Sequence, residues 1–449
     1  MRNLESGIWS LESGVWNLES GVGMDNHKTI ILMKRLLLLA VAGTLLAAAF
    51  TQCESPGPAP VEPRFITIQG PDLYTPDGEK FFIRGTNLGN WLNPEGYMFR
   101  FSRASSARLI DQAFREMVGP DFTDEFWKQF KDNYITRDDI RYIKSTGMNS
   151  IRVPFHYKLF TDEDYMGLTA DQDGFQRLDS LVAWCRESGL YIILDMHDAP
   201  GGQTGDNIDD SYGYPWLFIS EKSQERFISI WKKIAEHYAD EPVILGYDLL
   251  NEPIATYFAE DYDILNAQLE PLYKRAVAAI REVDQNHIIL LGGAQWNSNF
   301  RVFTDSKFDD KIMYTCHRYW SDTLQTNIQD FVDFRDSVNL PMYMGETGEN
   351  SDQWVAAWTR LMVRNNIGYH YWPYKRMGNP SSVLNIATPA NWDSLVAFTQ
   401  HPRLHFGEIR SARPDQELVK KAMLELIENC KFENCTKNEG YIRAMGMIP

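Results

Sequence analysis

The chain has 449 residues, a formal charge of −17 and a hydrophobic share of 44%. That share excludes global disorder, and the acidic balance excludes a nucleic-acid binder, which needs a basic face to neutralise phosphates. Five cysteines in so long a chain make no disulfide framework, so a large apolar core must hold the fold.

The first residues carry no such core. Residues 4–22 repeat the unit Leu-Glu-Ser-Gly-(Ile/Val)-Trp-(Ser/Asn) and then stop. Gly and Ser in every unit exclude a coiled coil, and the units are too few for a solenoid. A second beginning follows at Met33: Lys34 and Arg35, an uncharged run over 36–50, then Thr51-Gln52-Cys53. A basic segment, a short apolar segment and a short polar end predict a secretory signal over 33–53. Residues 1–32 are then an upstream extension outside the working protein. Cys53 stands where bacterial lipoproteins carry their lipidated cysteine, although Gln52 is larger than the usual neighbour. The expected address is extracytoplasmic: an outer-membrane or periplasmic lipoprotein, or a secreted protein. Prolines 56, 58 and 60 keep a tether over 54–63 extended.

Residues 65–68 and 81–83 flank Asp77-Gly78 and predict a short hairpin. Apolar runs then follow at 83–88, 150–153, 191–195, 244–250, 288–291, 312–315, 342–344 and 369–372. Helical patterns separate them, among them 138–145, 175–186, 224–238, 265–283 and 353–365, with Thr136 as an N-cap ahead of Asp138 and Asp139. Runs buried on both faces and joined by helices form a parallel sheet. Eight of them predict an α/β fold, a single (β/α)8 TIM barrel over 64–429, with a tail over 430–449. No glycine-rich dinucleotide fingerprint follows the first run, which argues against a doubly wound sheet. Cys430 and Cys435 are spaced to close a small loop, while Cys185 and Cys316 read as buried thiols.

In such a barrel, catalytic groups sit where strands end. The first run leads into Asn87-Leu88-Gly89-Asn90-Trp91 and Glu95; the second carries Arg152; the third ends in His197. The fourth ends Asn251-Glu252-Pro253, the sixth His317-Arg318-Tyr319-Trp320, the seventh Gly345-Glu346-Thr347-Gly348 and the eighth Trp372. Singly, each has a plain structural reading: a strand exit, a turn, a core histidine, a buried ion pair, a core tryptophan. Their recurrence at the same end of successive strands does not. Two glutamates at one mouth suit glycoside hydrolysis, one protonating the leaving oxygen and the other attacking the anomeric carbon. Arg152 and Tyr319 would hold Glu346 ionised as nucleophile, with Glu252 as acid/base. Asn251 can bond the sugar 2-hydroxyl, and Trp372 offers a flat apolar platform. No metal and no other cofactor is expected, since His197 and His317 lie on different strands without ligand-like spacing around them.

At these residues the sequence resembles glycoside hydrolase family 5, of the cellulase-like clan A, whose acid/base follows the fourth strand and whose nucleophile follows the seventh. The resemblance covers residues 80–400. It implies that Glu252 is the acid/base and Glu346 the nucleophile, with Arg152, His197, Asn251, His317, Tyr319 and Trp372 as the other signature residues. Within the family, Asn87 to Leu92 with Glu95, Tyr134-Ile135-Thr136 with Asp139-Ile140, and His197 to Gln203 resemble the exo-β-1,3-glucanase type; Gly202 and 206–210 depart from it. In that type long loops wall off the non-reducing end of the cleft, a task expected here of residues 198–220. Trp91, Trp216, Trp320 and Trp372 are the expected cleft aromatics. The implied activity is retaining cleavage of β-glucosidic linkages in glucans or their oligosaccharides, with exo action on β-1,3-glucan favoured. The protein is expected to be monomeric and to meet a membrane only through its lipid anchor. The alternatives are an endo-acting cellulase or mannanase of the same family, a transglycosylase, and a non-catalytic sugar-binding surface lipoprotein.

Overall fold

The computed structural model describes residues 64–167 and 173–449. The repeat, the signal segment, Cys53 and the tether lie outside the described residues.

The described residues open with a three-stranded meander: β1 Thr67–Gln69, β2 Asp72–Tyr74 and β3 Lys80–Phe81. The expected hairpin about Asp77-Gly78 is its second turn. Gly70 makes the first, at φ 59°, a left-handed conformation that glycine adopts without strain. Ile66, Leu73 and Ile83 from this region pack with Ile193, Leu245, Ile288, Leu290, Met313 and Tyr343. The meander thereby covers the N-terminal end of the barrel.

The barrel strands are β4 Arg84–Asn87, β5 Ser150–His156, β6 Tyr191–Asp198, β7 Ile244–Asp248, β8 Ile288–Gly292, β9 Ile312–His317, β10 Met342–Gly348 and β11 Gly368–Trp372. They pair in chain order, all parallel, and β11 closes on β4. Each predicted apolar run overlaps one of them, and most of the strands extend beyond the run. Strands β5 and β7 to β11 are buried along their whole length, as the lack of alternation in the sequence requires.

Two helices that the reading above does not name, Ala107–Val118 and Pro120–Tyr134, stand between β4 and the helix Arg137–Ser145. Pro120 occupies the first turn of the second, where its missing N–H costs nothing. The expected cap at Thr136 is present: Asp139 Oδ2 accepts from Thr136 N at 2.7 Å and from its Oγ1 at 3.0 Å. Asp139 Oδ1 also faces the buried Lys375 Nζ at 2.7 Å, tying the helix start to the segment that follows β11.

After β11 come β12 Lys375–Met377 and β13 Leu384–Ile386, joined by β14 Thr436–Lys437 into a small sheet. Residues 430–449 therefore add a strand and the helix Glu439–Ala444, which packs on the helix Asp352–Arg364. Tyr369 Oη donates to the Met445 carbonyl at 2.9 Å. Cys430 and Cys435 are free: Cys430 Sγ donates to the Ile427 carbonyl and Cys435 Sγ to that of Asn429. The loop between them is held by backbone hydrogen bonds rather than a disulfide. Cys185 and Cys316 are buried thiols, as expected.

Candidate active site

The C-terminal ends of the strands frame a cleft of about 520 Å³, lined by Glu95, His197, Glu252, His317, Tyr319, Glu346 and Trp372 among others. Arg152 lies beneath its floor with no solvent exposure. Its Nε donates to Asp248 Oδ2 at 2.9 Å, Nη1 to Glu346 Oε1 at 2.6 Å and Asn87 Oδ1 at 3.2 Å, and Nη2 to Asn251 Oδ1 at 2.9 Å. Nη2 also faces Asp195 Oδ1 at 2.9 Å. Only a planar guanidinium can serve so many acceptors from one buried point. Burial opposes its charge, but Asp195, Asp248 and Glu346 hold its pKa well above the usual value.

Glu346 has the environment of an ionised carboxylate. Burial pushes it towards the neutral form, yet His317, Arg152 and His197 outweigh that, and Tyr319 Oη donates to Oε2 at 2.9 Å. Its carboxyl is held below the ordinary range. Gly345 makes room for the packing on this side, because a Cβ there would stand 2.9 Å from His317 Nε2.

Glu252 meets the same histidine from the other side: His317 Nδ1 is 2.9 Å from Glu252 Oε1 and 3.8 Å from Glu346 Oε2. One oxygen of each carboxylate and one ring nitrogen of His317 all lie within 4.8 Å of one another. The backbone that presents Glu252 is strained, with φ 45° at Glu252 and 59° at the β-branched Ile254. Such left-handed residues cost roughly 1–2 kcal/mol each and persist only where surroundings enforce them.

His197 packs beside this pair. Its Nδ1 is 2.7 Å from Asp195 Oδ2, and its Nε2 is 3.4 Å from Asn251 Nδ2 and 3.6 Å from Glu95 Oε1. Burial disfavours its charge, but Asp195, Glu95 and Glu346 carry its pKa up to about 10. Burial raises Glu95 to about 7; His197 pulls against that, and Glu346 and Glu349 add to it. The imidazole of His197 lies parallel to Trp372, 5.4 Å between centroids. The Trp372-Pro373 peptide is cis, and Trp372 Nε1 donates to Tyr97 Oη at 2.6 Å. A Cβ at Gly89 would stand 2.5 Å from the indole, so only glycine lets the ring lie there.

The structure thus brings together Glu252, Glu346, Arg152, His197, Asn251, His317, Tyr319, Trp372 and Glu95. Trp91 is not among them. Asn90, at φ 68°, turns the chain so that Trp91 enters the core, where its Nε1 donates to the Lys131 carbonyl at 2.8 Å. A buried indole needs that partner, and helix Pro120–Tyr134 supplies it. Trp216 is also outside the cleft, packed on Tyr214, whereas Trp320 is exposed at its rim. Residues 206–208 of the long third loop line the cleft.

Several lining residues escape the sequence reading. Trp296 follows Gly292-Gly293 at the end of β8, a strand exit that could have revealed it. Gln295, Trp296 and Asn297 take φ of 52°, 62° and 53°, a left-handed turn that sequence does not announce. Tyr257 approaches Trp296 edge-on at 6.2 Å. Tyr97 and Glu349 also line the cleft.

Among the described residues, two clusters have donor sets of the kind that hold metals: Glu252, His317 and Glu346, and, away from the cleft, His156, Asp198 and Asp210. In the second, His156 Nδ1 accepts from Lys158 N, so Nε2 carries the proton and points at both carboxylates at 3.0 Å. A metal needs a lone pair at that nitrogen, so this donor set suits a proton-bound clamp instead.

The family model for Cellulase (glycosyl hydrolase family 5) matches residues 113–378. The chain belongs to glycosyl hydrolase family 5. This family 5 chain is 33% identical over 257 residues to a beta-xylosidase of Phanerodontia chrysosporium, covering 57% of the chain and 52% of that relative. The chain thus spans about half the length of that relative. It is 25% identical over 313 residues to endoglucanase C of Acetivibrio thermocellus, covering 56% and 87%. Against a probable glucan 1,3-beta-glucosidase A of Aspergillus fumigatus it is 29% identical over 240 residues, covering 51% and 54%. Among solved structures, AoRut matches with a TM-score of 0.56 at 17% identity, covering 67% and 91%. An endogalactoceramidase matches with a TM-score of 0.52 at 17% identity, covering 75% and 79%. These two share the barrel fold of the family 5 chain.

Proposed function

We propose that this chain is a retaining β-glycosidase that removes glucosyl units from the ends of β-1,3-glucans and their oligosaccharides, with Glu346 as nucleophile and Glu252 as acid/base. The observation that carries this reading is the approach of the two carboxylates to within 4.8 Å, atom to atom. Double displacement uses carboxyl groups about 5 Å apart, whereas inversion needs about 6.5–9.5 Å to admit a water. In the first step a Glu346 oxygen attacks the anomeric carbon while the leaving oxygen takes the proton of Glu252. In the second, Glu252 accepts a proton from water, the water oxygen bonds the anomeric carbon, and Glu346 departs. Arg152 and Tyr319 supply fixed donors to the carboxylate throughout, which lowers the cost of separating charge at the floor of the cleft.

Exo action is supported by how one flank of the cleft is laced. Asn93 Nδ2 donates to the Ile208 carbonyl at 3.2 Å, linking the first and third loops. Trp372 donates to Tyr97, linking the eighth and first. Arg376 pairs with Glu349 of the seventh loop and lies 5.0 Å over the Tyr97 ring. A polysaccharide cannot run through a side so closed, but its end can abut it. The relative named as a glucan 1,3-beta-glucosidase supports the linkage.

The test is proton NMR of laminarin and laminari-oligosaccharide hydrolysis. β-Glucose should appear first, as the main early product. Early α-anomer would overturn the double displacement, internal fragments would overturn exo action, and release from xylan but not laminarin would overturn the glucan. Glu346→Ala should lower kcat by about four orders of magnitude or more with the fold intact. We further propose that Cys53 carries a lipid anchor outside the cytoplasm, on the support of residues 33–53. Cys53→Ala should then release the protein from the membrane fraction.

A further inference from the structure

The acid/base assigned above depends on a strained peptide, and the third loop holds that peptide in place. Thr204 and Gln203 run beside residues 251–255. Thr204 Oγ1 donates to the Glu252 carbonyl at 2.8 Å, and Gln203 Nε2 donates to the Asn251 carbonyl at 2.9 Å. In return Ile254 N donates to the Gln203 carbonyl at 2.8 Å and Ala255 N to that of Thr204 at 3.0 Å. These bonds bracket the two left-handed residues, Glu252 and Ile254. Both Gln203 and Thr204 are fully buried, so no water can take over a lost bond, and a lost partner leaves a buried polar group unpaired.

The loop is fixed in turn by Asp209. Its Oδ2 accepts from Thr204 N at 2.6 Å and Gly205 N at 3.0 Å, and its Oδ1 from Ser211 N at 3.1 Å. Gln203 Nε2 also reaches the His197 carbonyl at 2.8 Å, so one side chain spans the ends of the third and fourth strands. Between Thr204 and Asp209 lie the residues 206–208 that line the cleft.

We infer that Thr204 is a positioning residue for the acid/base: its hydroxyl fixes the Glu252 peptide and thereby aims the carboxyl at the leaving oxygen. This rests on Glu252 being the acid/base, as proposed above. Thr204 touches no reacting atom. Its loss should slow glycosyl transfer to Glu346 for a leaving group that needs a well-aimed proton. For a glycoside whose leaving group departs without protonation, kcat/KM should be spared, while kcat falls with the slower activation of water by Glu252 in the second step.

The experiment compares 2,4-dinitrophenyl and phenyl β-D-glucosides as substrates of the full chain. Thr204→Val removes the hydroxyl at nearly constant volume. It should lower kcat/KM on the phenyl glucoside by about 10–100-fold, the range expected when a proton donor is misplaced. On the dinitrophenyl glucoside the change should stay within about 3-fold, which also reports that the variant is folded. Thr204→Ser restores the hydroxyl and should recover the phenyl rate. Equal losses on both substrates, or no loss on either, overturn the proposal, as does failure of Thr204→Ser to recover. Glu252→Ala on the same pair separates the two readings. If it shows the leaving-group pattern and Thr204→Val does not, only the positioning role falls. If Glu252→Ala itself lacks the pattern, the acid/base assignment falls and takes the positioning role with it. A wild type that cleaves neither glucoside refutes the glucan reading on which both stand.

Discussion

Arg152 Nη1 lies 2.6 Å from Glu346 Oε1, and the guanidinium has no contact with solvent. The cation is shared with Asp195 and Asp248, so it neutralises a cluster of buried acids rather than one partner. Arg152→Lys keeps the charge but loses the fork, and one ammonium cannot reach Asp248, Asn87, Asn251 and Glu346 together. We expect kcat to fall by about 10²–10³-fold. Urea unfolding should show about 1–3 kcal/mol less stability, as for buried acceptors left without their donors. A variant of normal stability and activity would show that the acids do not need the fork.

Trp91→Ala should behave as a core mutation. The indole is 2% exposed and hydrogen-bonded to Lys131, so its removal leaves a cavity worth roughly 3–5 kcal/mol in denaturant unfolding. Turnover per folded molecule should stay within about 3-fold. A raised KM without loss of stability would return Trp91 to the cleft.

The contrast between Trp91 and Trp372 shows what the sequence reveals. The barrel was legible because most of its strands are buried on both faces, and the meeting of Glu252, Glu346, His317 and Tyr319 in one cleft was legible because all four follow strand ends. The direction a side chain takes after a strand end is set by backbone turns such as Asn90 at φ 68°, and residue type does not report it. Two tryptophans just past strand ends therefore read alike, though one fills the core and the other stacks on His197. The lacing of the flank was hidden for a different reason. Glu349 and Arg376 come from different loops, and neither carries a local pattern that names its partner. Helices Ala107–Val118 and Pro120–Tyr134 went unnamed because they add to the strand–helix alternation on which the barrel reading relied.

The pH dependence of stability should carry the mark of His197. Its pKa of about 10 lies above the ordinary 6.5, so the folded state favours the charged ring. The contribution is complete below pH 6.5 and is lost as pH rises towards about 10. Glu95, raised from 4.5 to about 7, acts in the same direction at lower pH, because its ionisation between those values opposes folding. Burial lowers the Lys131 ammonium to about 7, which acts in the opposite direction above pH 7, so the mark of His197 is read as the difference in thermal unfolding midpoint between the wild type and His197→Asn. That difference should shrink from pH 6.5 to pH 10, and a constant difference would mean that the imidazole is neutral in the folded protein.

Arg376→Ala tests whether the laced flank decides product length. Removing the guanidinium breaks its pairing with Glu349 and uncovers the Tyr97 ring. Glu349 would then be a buried carboxyl without its cation, and burial already raises its pKa against the pull of Arg376. It would take up a proton rather than stay charged, at a cost of about 1–3 kcal/mol in stability. The proposed reacting pair, Glu252 and Glu346, keeps Arg152, Tyr319 and His317, so the rate on 2,4-dinitrophenyl β-D-glucoside should stay within about 3-fold. What changes is the wall: with the seventh loop no longer tied to the eighth through Arg376, a glucan can extend past the end of the cleft. Chromatography of laminarin digests should show the ratio of oligosaccharides to glucose rising severalfold. Arg376→Lys, which keeps a cation near Glu349 but not the flat stack on Tyr97, should give an intermediate ratio. Identical product profiles in all three proteins would mean that chain-end selection lies elsewhere, with the 206–208 tip of the third loop as the next wall to open.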